Sequence, residues 1–439
     1  MKTTTFNVAA ALAATFALHV AADAIKCGDG AVCPSDAPCC SEYGQCGVGA
    51  YCLGGCDPKH SFDLQSCVAA PVCQSTDYTM NSMDDIMPNT EYLGDASKAN
   101  WVSSGNPAIY NNEALLLTMP PDTVGTLVTS THYVWYGKVS ASLTTSQGQG
   151  VVTAFILMSD MKDEIDFEFV GTDIQTAQSN YYFQGITDYH NEKNLSASDT
   201  VQNTHKYEFD WTPDTLTWSI DGQAMRVLNR NDTYNSTTGQ YHYPQTPARI
   251  QLSLWPAGLS TNGAGTIAWA GGLVNWNSPY MQNGYYYAKI DDVSVECYDP
   301  PSGFSNNYGN KAYYYNNLAG TNNTVCIGDN STTLASFYAT GDDPNTNPNA
   351  QSSGTKSSAP TSTPETVPGI SGGGVRGTNG DDSSGTSSAS GSEPSTTTNT
   401  GGGQTGFTQG GSTGQSGASK VVAGSAVALL GFFIAALML

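Results

Sequence analysis

Short runs of mostly apolar, strand-forming residues, with turns between them, fill the middle of this chain. Leu115–Met119, Tyr133–Ala141, Val151–Met158, Glu164–Val170 and Arg249–Trp255 each read as a β-strand. Leu216–Gln223 carries Asp221-Gly222, a two-residue turn signal, and reads as a hairpin. Tyr285–Cys297 predicts a last long strand, and no stretch sustains a helical period. Many short strands over residues 76–340 predict an all-β domain, a β-sandwich of two antiparallel sheets.

One of these strands carries chemistry. In Asp163-Glu164-Ile165-Asp166-Phe167-Glu168-Phe169 the side chains alternate between faces, so Glu164, Asp166 and Glu168 point one way. Ile165, Phe167 and Phe169 point the other way, into a core, and Asp163 falls outside the acidic face. Crowding like charges costs free energy, and Asp166 between two glutamates raises a neighbour's hold on its proton. Paired carboxylates are what glycoside hydrolysis requires, about 5 Å apart in a retaining enzyme. Four residues of extended strand separate Cα atoms by up to roughly 13 Å, so twist and inward-leaning side chains must close the gap. The competing reading is a solvated polar face on an amphipathic strand.

The ends of the chain differ from its middle. Residues 1–24 combine Lys2, an Ala-rich apolar run and Ala22-Asp23-Ala24, which predicts a secretory signal peptide. Residues 421–439 are apolar and follow a small, polar spacer at 411–420. That is the pattern of a GPI-anchor signal attached within 411–418 and then removed, with a single spanning tail as the alternative. Residues 341–420 are Ser, Thr, Gly, Pro and Asn and cannot bury enough surface to fold, so they predict an O-glycosylated stalk. Asn194, Asn231, Asn235, Asn322 and Asn330 begin Asn-x-Ser/Thr sequons. A net charge of −22 argues against a nucleic-acid partner.

Eleven cysteines in a secreted chain predict disulfides. Cys27, Cys33, Cys39, Cys40, Cys46, Cys52, Cys56 and Cys67 crowd a segment with little apolar content, which needs staples to fold. Zinc is the weaker alternative there. Of the remaining three, Cys297 with Cys326 is the preferred pair, and Cys67 with Cys73 competes locally.

Residues 25–68 resemble a hevein-like chitin-binding module. The match rests on Cys39-Cys40-Ser41-Glu42-Tyr43-Gly44-Gln45-Cys46-Gly47 and Ala50-Tyr51-Cys52. The resemblance puts Ser41, Tyr43 and Tyr51 on its sugar-binding positions, with Gln45 where a third aromatic is frequent. The acidic strand with Gly171 resembles the active-site strand of glycoside hydrolase family sixteen, a jelly-roll β-sandwich. His205–Trp211, Ser253–Gly258 and Trp269–Gly272 extend the match. Together with the module, stalk and tail, the chain resembles the fungal Crh cell-wall transglycosylases of the Utr type.

That resemblance implies Glu164 as nucleophile, Glu168 as acid/base and Asp166 as helper. Trp255 and Trp269 are expected as sugar platforms. Tyr136, Lys138, Asn180 and Gln184 are further groove candidates, with Lys138 equally readable as a solvated strand residue. No cofactor or metal is implied. The expected partners are chitin and β-glucan at the outer face of a fungal plasma membrane. A hydrolytic β-glucanase or chitinase of the same fold, or a non-catalytic wall adhesin, are the alternatives.

Overall fold

The computed structural model describes residues 25–301, 308–348 and 364–368. The expected signal peptide and anchor tail, and most of the expected stalk, lie outside these residues. Two eight-stranded sheets pack face to face. One runs in the order 193–196, 176–182, 164–170, 151–159, 248–256, 126–134, 101–104 and 86–88. The other runs 223–229, 215–220, 205–211, 137–144, 286–297, 114–119 and 108–110, with Thr76–Thr79 beside the long Tyr286–Cys297 strand.

The apolar half of each alternating strand makes the interior. Phe167 lies 5.0 Å from Phe209, Phe155 lies 4.7 Å from Phe209, and Phe169 lies 4.6 Å from Tyr207, ring centre to ring centre. Such tilted and offset aromatic pairs add contact energy to the area that they bury. The first sheet thereby turns its other face, with the acidic side chains, away from the core.

Most expected strands are present within a residue or two at their ends. The run Tyr133–Ala141 is not one strand: Thr126–Val134 and Gly137–Thr144 belong to different sheets, and Trp135-Tyr136 link them. Tyr136 takes φ +64°, the left-handed conformation, and turns the chain there. Among the described residues one strand pairing, Ile86–Pro88 with Trp101–Ser104, is parallel, and one short α-helix spans Ala264–Trp269.

The N-terminal module is held by Cys27–Cys40, Cys33–Cys46, Cys39–Cys52 and Cys56–Cys67. Sγ atoms of Cys27, Cys33 and Cys40 lie within 4.8 Å of one another. All three are in disulfides, so they offer no thiolate to zinc. The expected Cys297–Cys326 pair is incorrect. Cys297 bonds Cys73, with Cα atoms 6.0 Å apart, and Cys326 is the free cysteine among the described residues. The reason is topological. Thr76–Thr79 pairs with the end of the Tyr286–Cys297 strand, which delivers Cys73 to Cys297. Cys326 lies in a separate three-stranded sheet with Ala312–Tyr315 and Ala70–Pro71.

Alkylation of the denatured, unreduced protein followed by peptide mapping is expected to label Cys326 and no other described cysteine. Cys73→Ser or Cys297→Ser is expected to cost about 2–4 kcal/mol in thermal unfolding, as for loss of a long-range disulfide. Cys326→Ser is expected to cost about 1 kcal/mol or less.

Candidate active site

The acidic strand Glu164–Val170 lies between Val151–Ser159 and Thr176–Tyr182. Its register fixes the neighbours of each carboxylate. Glu164 is flanked by Met158 and Tyr182, Asp166 by Ile156 and Asn180, Glu168 by Ala154 and Gln178. All these residues share the face opposite the core. Glu164 and Asp166 are buried and Glu168 is half-buried.

Burial away from water is the largest influence on all three groups and favours their neutral forms. It raises Glu164 to about 7, with the Lys162 ammonium opposing the shift. Glu168 rises to about 8, from burial and then from the charges of Glu164 and Glu192. Asp166 is held well above the usual carboxylate range by burial and by both glutamates, against the pull of Arg226. Its Oδ1 is buried without a hydrogen-bond partner among the described residues. The group nearest a cation gives up its proton first and the group nearest other anions keeps it. This is the division of labour that a paired acid and base require.

Other side chains complete the groove. Trp255 and Trp269 stack with centroids 6.1 Å apart, and Trp269 Nε1 donates to Gln178 Oε1 at 2.7 Å. Gln178 pairs with Glu168 in the ladder, so the tryptophan pair is tied to the end of the acidic strand. Asn180 Nδ2 donates to the Tyr182 hydroxyl at 2.7 Å. Behind the strand, on the core side, Arg226 lies over the buried Trp218 ring at 4.3 Å, and Trp218 Nε1 donates to the Asp166 backbone carbonyl at 3.0 Å. Asp163 is buried on the core side and accepts from the backbone N–H groups of Gln184, Gln245 and Thr246, as its opposite parity implies.

Several expected positions lie elsewhere. Tyr136 is fully buried, 4.7 Å from Trp211 ring to ring, because its turn points inward. Lys138 lies on the second sheet between Asp210 and Glu296. Gln184 follows the end of its strand and bonds Lys59 Nζ and the carbonyls of Ala319 and Gly320. Asn180, Trp255 and Trp269 do stand on the groove side. Ser41, Tyr43 and Tyr51 are buried rather than displayed, with 4%, 7% and 1% of their surface exposed. Among the sequons, Asn194, Asn231 and Asn330 are exposed, whereas Asn235 and Asn322 are half-buried. Gln178 and Tyr182 were missed, although they share Asn180's parity and alternation would have found them. Arg226 gave no signal, since it reaches Trp218 from a neighbouring hairpin strand.

The family model described as glycosyl hydrolases family 16 matches residues 95–271, a span that contains the acidic strand and both tryptophans. Crh-like protein 3 of Botryotinia fuckeliana is 58% identical over 341 residues, covering 77% of this chain and 74% of that protein. The chain belongs to the Crh-like family of glycosyl hydrolases. Crh-like protein UTR2 of Candida albicans is 46% identical over 350 residues, 77% of this chain and 74% of that one. A solved structure of a Crh5 transglycosylase in complex with NAG is 28% identical with a TM-score of 0.50. It covers 62% of this chain and 99% of that one. A Crh-like glycoside hydrolase or transglycosylase therefore occupies most of the described residues, with its carboxylates on the groove face.

Activity is expected to follow a bell-shaped pH profile, with the acid limb set by Glu164 and the alkaline limb by Glu168. Glu192→Gln removes a charge that raises Glu168, so the alkaline limb should move to lower pH. Lys162→Met removes a charge that lowers Glu164, so the acid limb should move to higher pH. An unshifted limb in either kinetic profile counts against the assignment. Stability carries the same sign. Above the unfolded carboxyl value, about 4, the native state holds protons that the unfolded chain has lost, so stability falls as pH rises. Asp166→Asn should therefore raise the melting temperature at pH 7 relative to pH 4, as calorimetry would show.

Proposed function

We propose that the protein is a retaining transglycosylase that cleaves chitin and joins the new end to β-glucan. The observation that carries this reading is the row of three carboxylates with graded proton affinity on one strand face of a Crh-like chain. Glu164 attacks the anomeric carbon, and the bond from that carbon to the leaving oxygen breaks while Glu168 gives that oxygen its proton. Glu168, now ionised, takes a proton from an incoming sugar hydroxyl. The new oxygen displaces Glu164 and restores its carboxylate. Asp166 lies between the two and acts by positioning. Trp255 and Trp269 offer a stacked aromatic surface for sugar rings beside Glu168, and Asn180 adds polar contacts.

Support for chitin as donor comes from a solved Crh5 transglycosylase in complex with NAG, the repeating unit of chitin. Release to water instead of sugar is the hydrolytic outcome of the same machinery, decided by how well an acceptor is held. The five disulfides favour an oxidising compartment. With the signal and tail read from the sequence, we place the protein outside the cell, lipid-anchored at a fungal wall.

Purified protein given chito-oligosaccharide donor and fluorescent β-glucan oligosaccharide is expected to make a labelled mixed product. Free sugar alone would mean a hydrolase. Glu164→Gln and Glu168→Gln are each expected to lower turnover by about 10³-fold or more while melting as folded proteins. Turnover near wild type in either variant overturns the roles.

A further inference from the structure

The disulfide-rich module is packed into the groove face. Arg249 and Gln251 lie on the Ala248–Pro256 strand, in register through Met158 and Ile156 with Glu164 and Asp166. Their side chains stand on the carboxylate face, two strand spacings away, about 10 Å. Both hold one module oxygen: Glu42 Oε2 lies 3.1 Å from Arg249 Nη2 and 3.1 Å from Gln251 Nε2. A carboxylate borne by the module therefore stands on the same floor as the three of the acidic strand.

The floor beside it is closed. Ala154, Ile156, Gln251 and Ser253 are each at most 2% exposed, although they lie on the face that a glycan crosses. Gln251 Oε1 and Ser253 Oγ are buried without a hydrogen-bond partner among the described residues. Buried polar atoms without partners are costly and mark places where a ligand can supply one.

The contact is built to last. Gly55 N donates to Asp160 Oδ1 at 2.9 Å and to the Tyr133 hydroxyl at 3.2 Å. Lys59 Nζ donates to Gln184 Oε1 at 2.5 Å. From behind, Val48, Gly49 and Ala50 donate to the carbonyls of Glu365, Ala339 and Thr366. Leu53, Tyr92, Leu334 and Ala339 form a buried cluster across the junction. Backbones come so close that a Cβ on Gly49, at φ +63°, would sit 2.2 Å from the Phe337 carbonyl oxygen. A module on a loose tether needs none of this, and one that swings aside would break all of it.

We propose that the module is a permanent wall of the glycan groove, and that Glu42, held by Arg249 and Gln251, limits how far a chain extends on that side of the carboxylates. The ligand is a hydroxyl-rich β-linked glycan. Of the sugar-binding positions inherited from the hevein-like pattern, Tyr43 lies beside Arg249 in the joint and not on a free lectin surface. This rests on the glycosidase reading of the groove.

The test uses the full secreted protein, with Glu42→Ala, Glu42→Gln and the Glu164→Gln control. The probe is a ladder of chito-oligosaccharide donors of increasing length, read as kcat and KM for each. In the wild type, kcat/KM should stop rising with length once the chain meets the wall. In Glu42→Ala the longest donors should gain about fivefold relative to the shortest, mainly through KM, the worth of roughly one hydrogen bond. Glu42→Gln, which keeps the size of the side chain, should keep the wild-type cutoff. Melting curves report whether each variant is folded. An unchanged length profile in folded Glu42→Ala, or the same factor at every length, overturns the wall. An active Glu164→Gln protein overturns the glycosidase reading instead, so the two failures are distinct.

Discussion

The interior of the sandwich dictates the site. Phe167 and Phe169 must lie among Phe155, Phe209 and Tyr207, because aromatic area of that size cannot be left in water. Once those rings are fixed, the two-residue repeat of the strand leaves Glu164, Asp166 and Glu168 only one direction to take. A one-residue slip would drive three carboxylates into the core and three apolar side chains into the groove. The apolar face thus holds the acidic face in a crowded state that the carboxylates alone would relax. Raised proton affinity follows from that confinement, and the nearby charges of Lys162 and Glu192 then separate the two glutamates.

Much of this was legible in the sequence because it depends on local parity. The acidic strand, the long terminal strand and the Asp221-Gly222 hairpin all follow from alternation and turn chemistry, which are written in neighbouring residues. Groove candidates fared worse where parity changed. Tyr136 belongs to a run read as one continuous strand, yet the chain crosses from one sheet to the other at that residue. Gln184 lies two residues past Thr176–Tyr182, where the alternation of that strand has ended. Both errors come from strand ends, which are set by packing between sheets more than by local preference. Cys73 was left over by counting, since only the order of strands in the second sheet brings it to Cys297.

The module teaches a different point about motifs. Its cysteine spacing predicted the four internal disulfided pairs as a group, and the small stapled unit is there. What the spacing could not report is which surface of the unit faces outward. Ser41, Tyr43 and Tyr51 keep their places in the pattern but are buried, Tyr51 among Cys39, Cys52 and Cys56 of the module itself. A motif records which residues can be arranged together, and exposure is a property of the whole assembly. The ion pair between Glu42 and Arg249, far apart in sequence, marks where that assembly was decided.

The bond between Cys73 and Cys297 has a consequence beyond rigidity. It closes a covalent loop with a sequence separation of 224 around the acidic strand, both tryptophans and most of the two sheets. A single backbone cut inside that loop leaves one connected molecule, since each fragment is still joined through sulfur. Exposed turns such as Asp221-Gly222 can therefore be nicked without shedding either half of the groove. Where a protease cuts such a turn, the bond converts what would be fragmentation into a local scar.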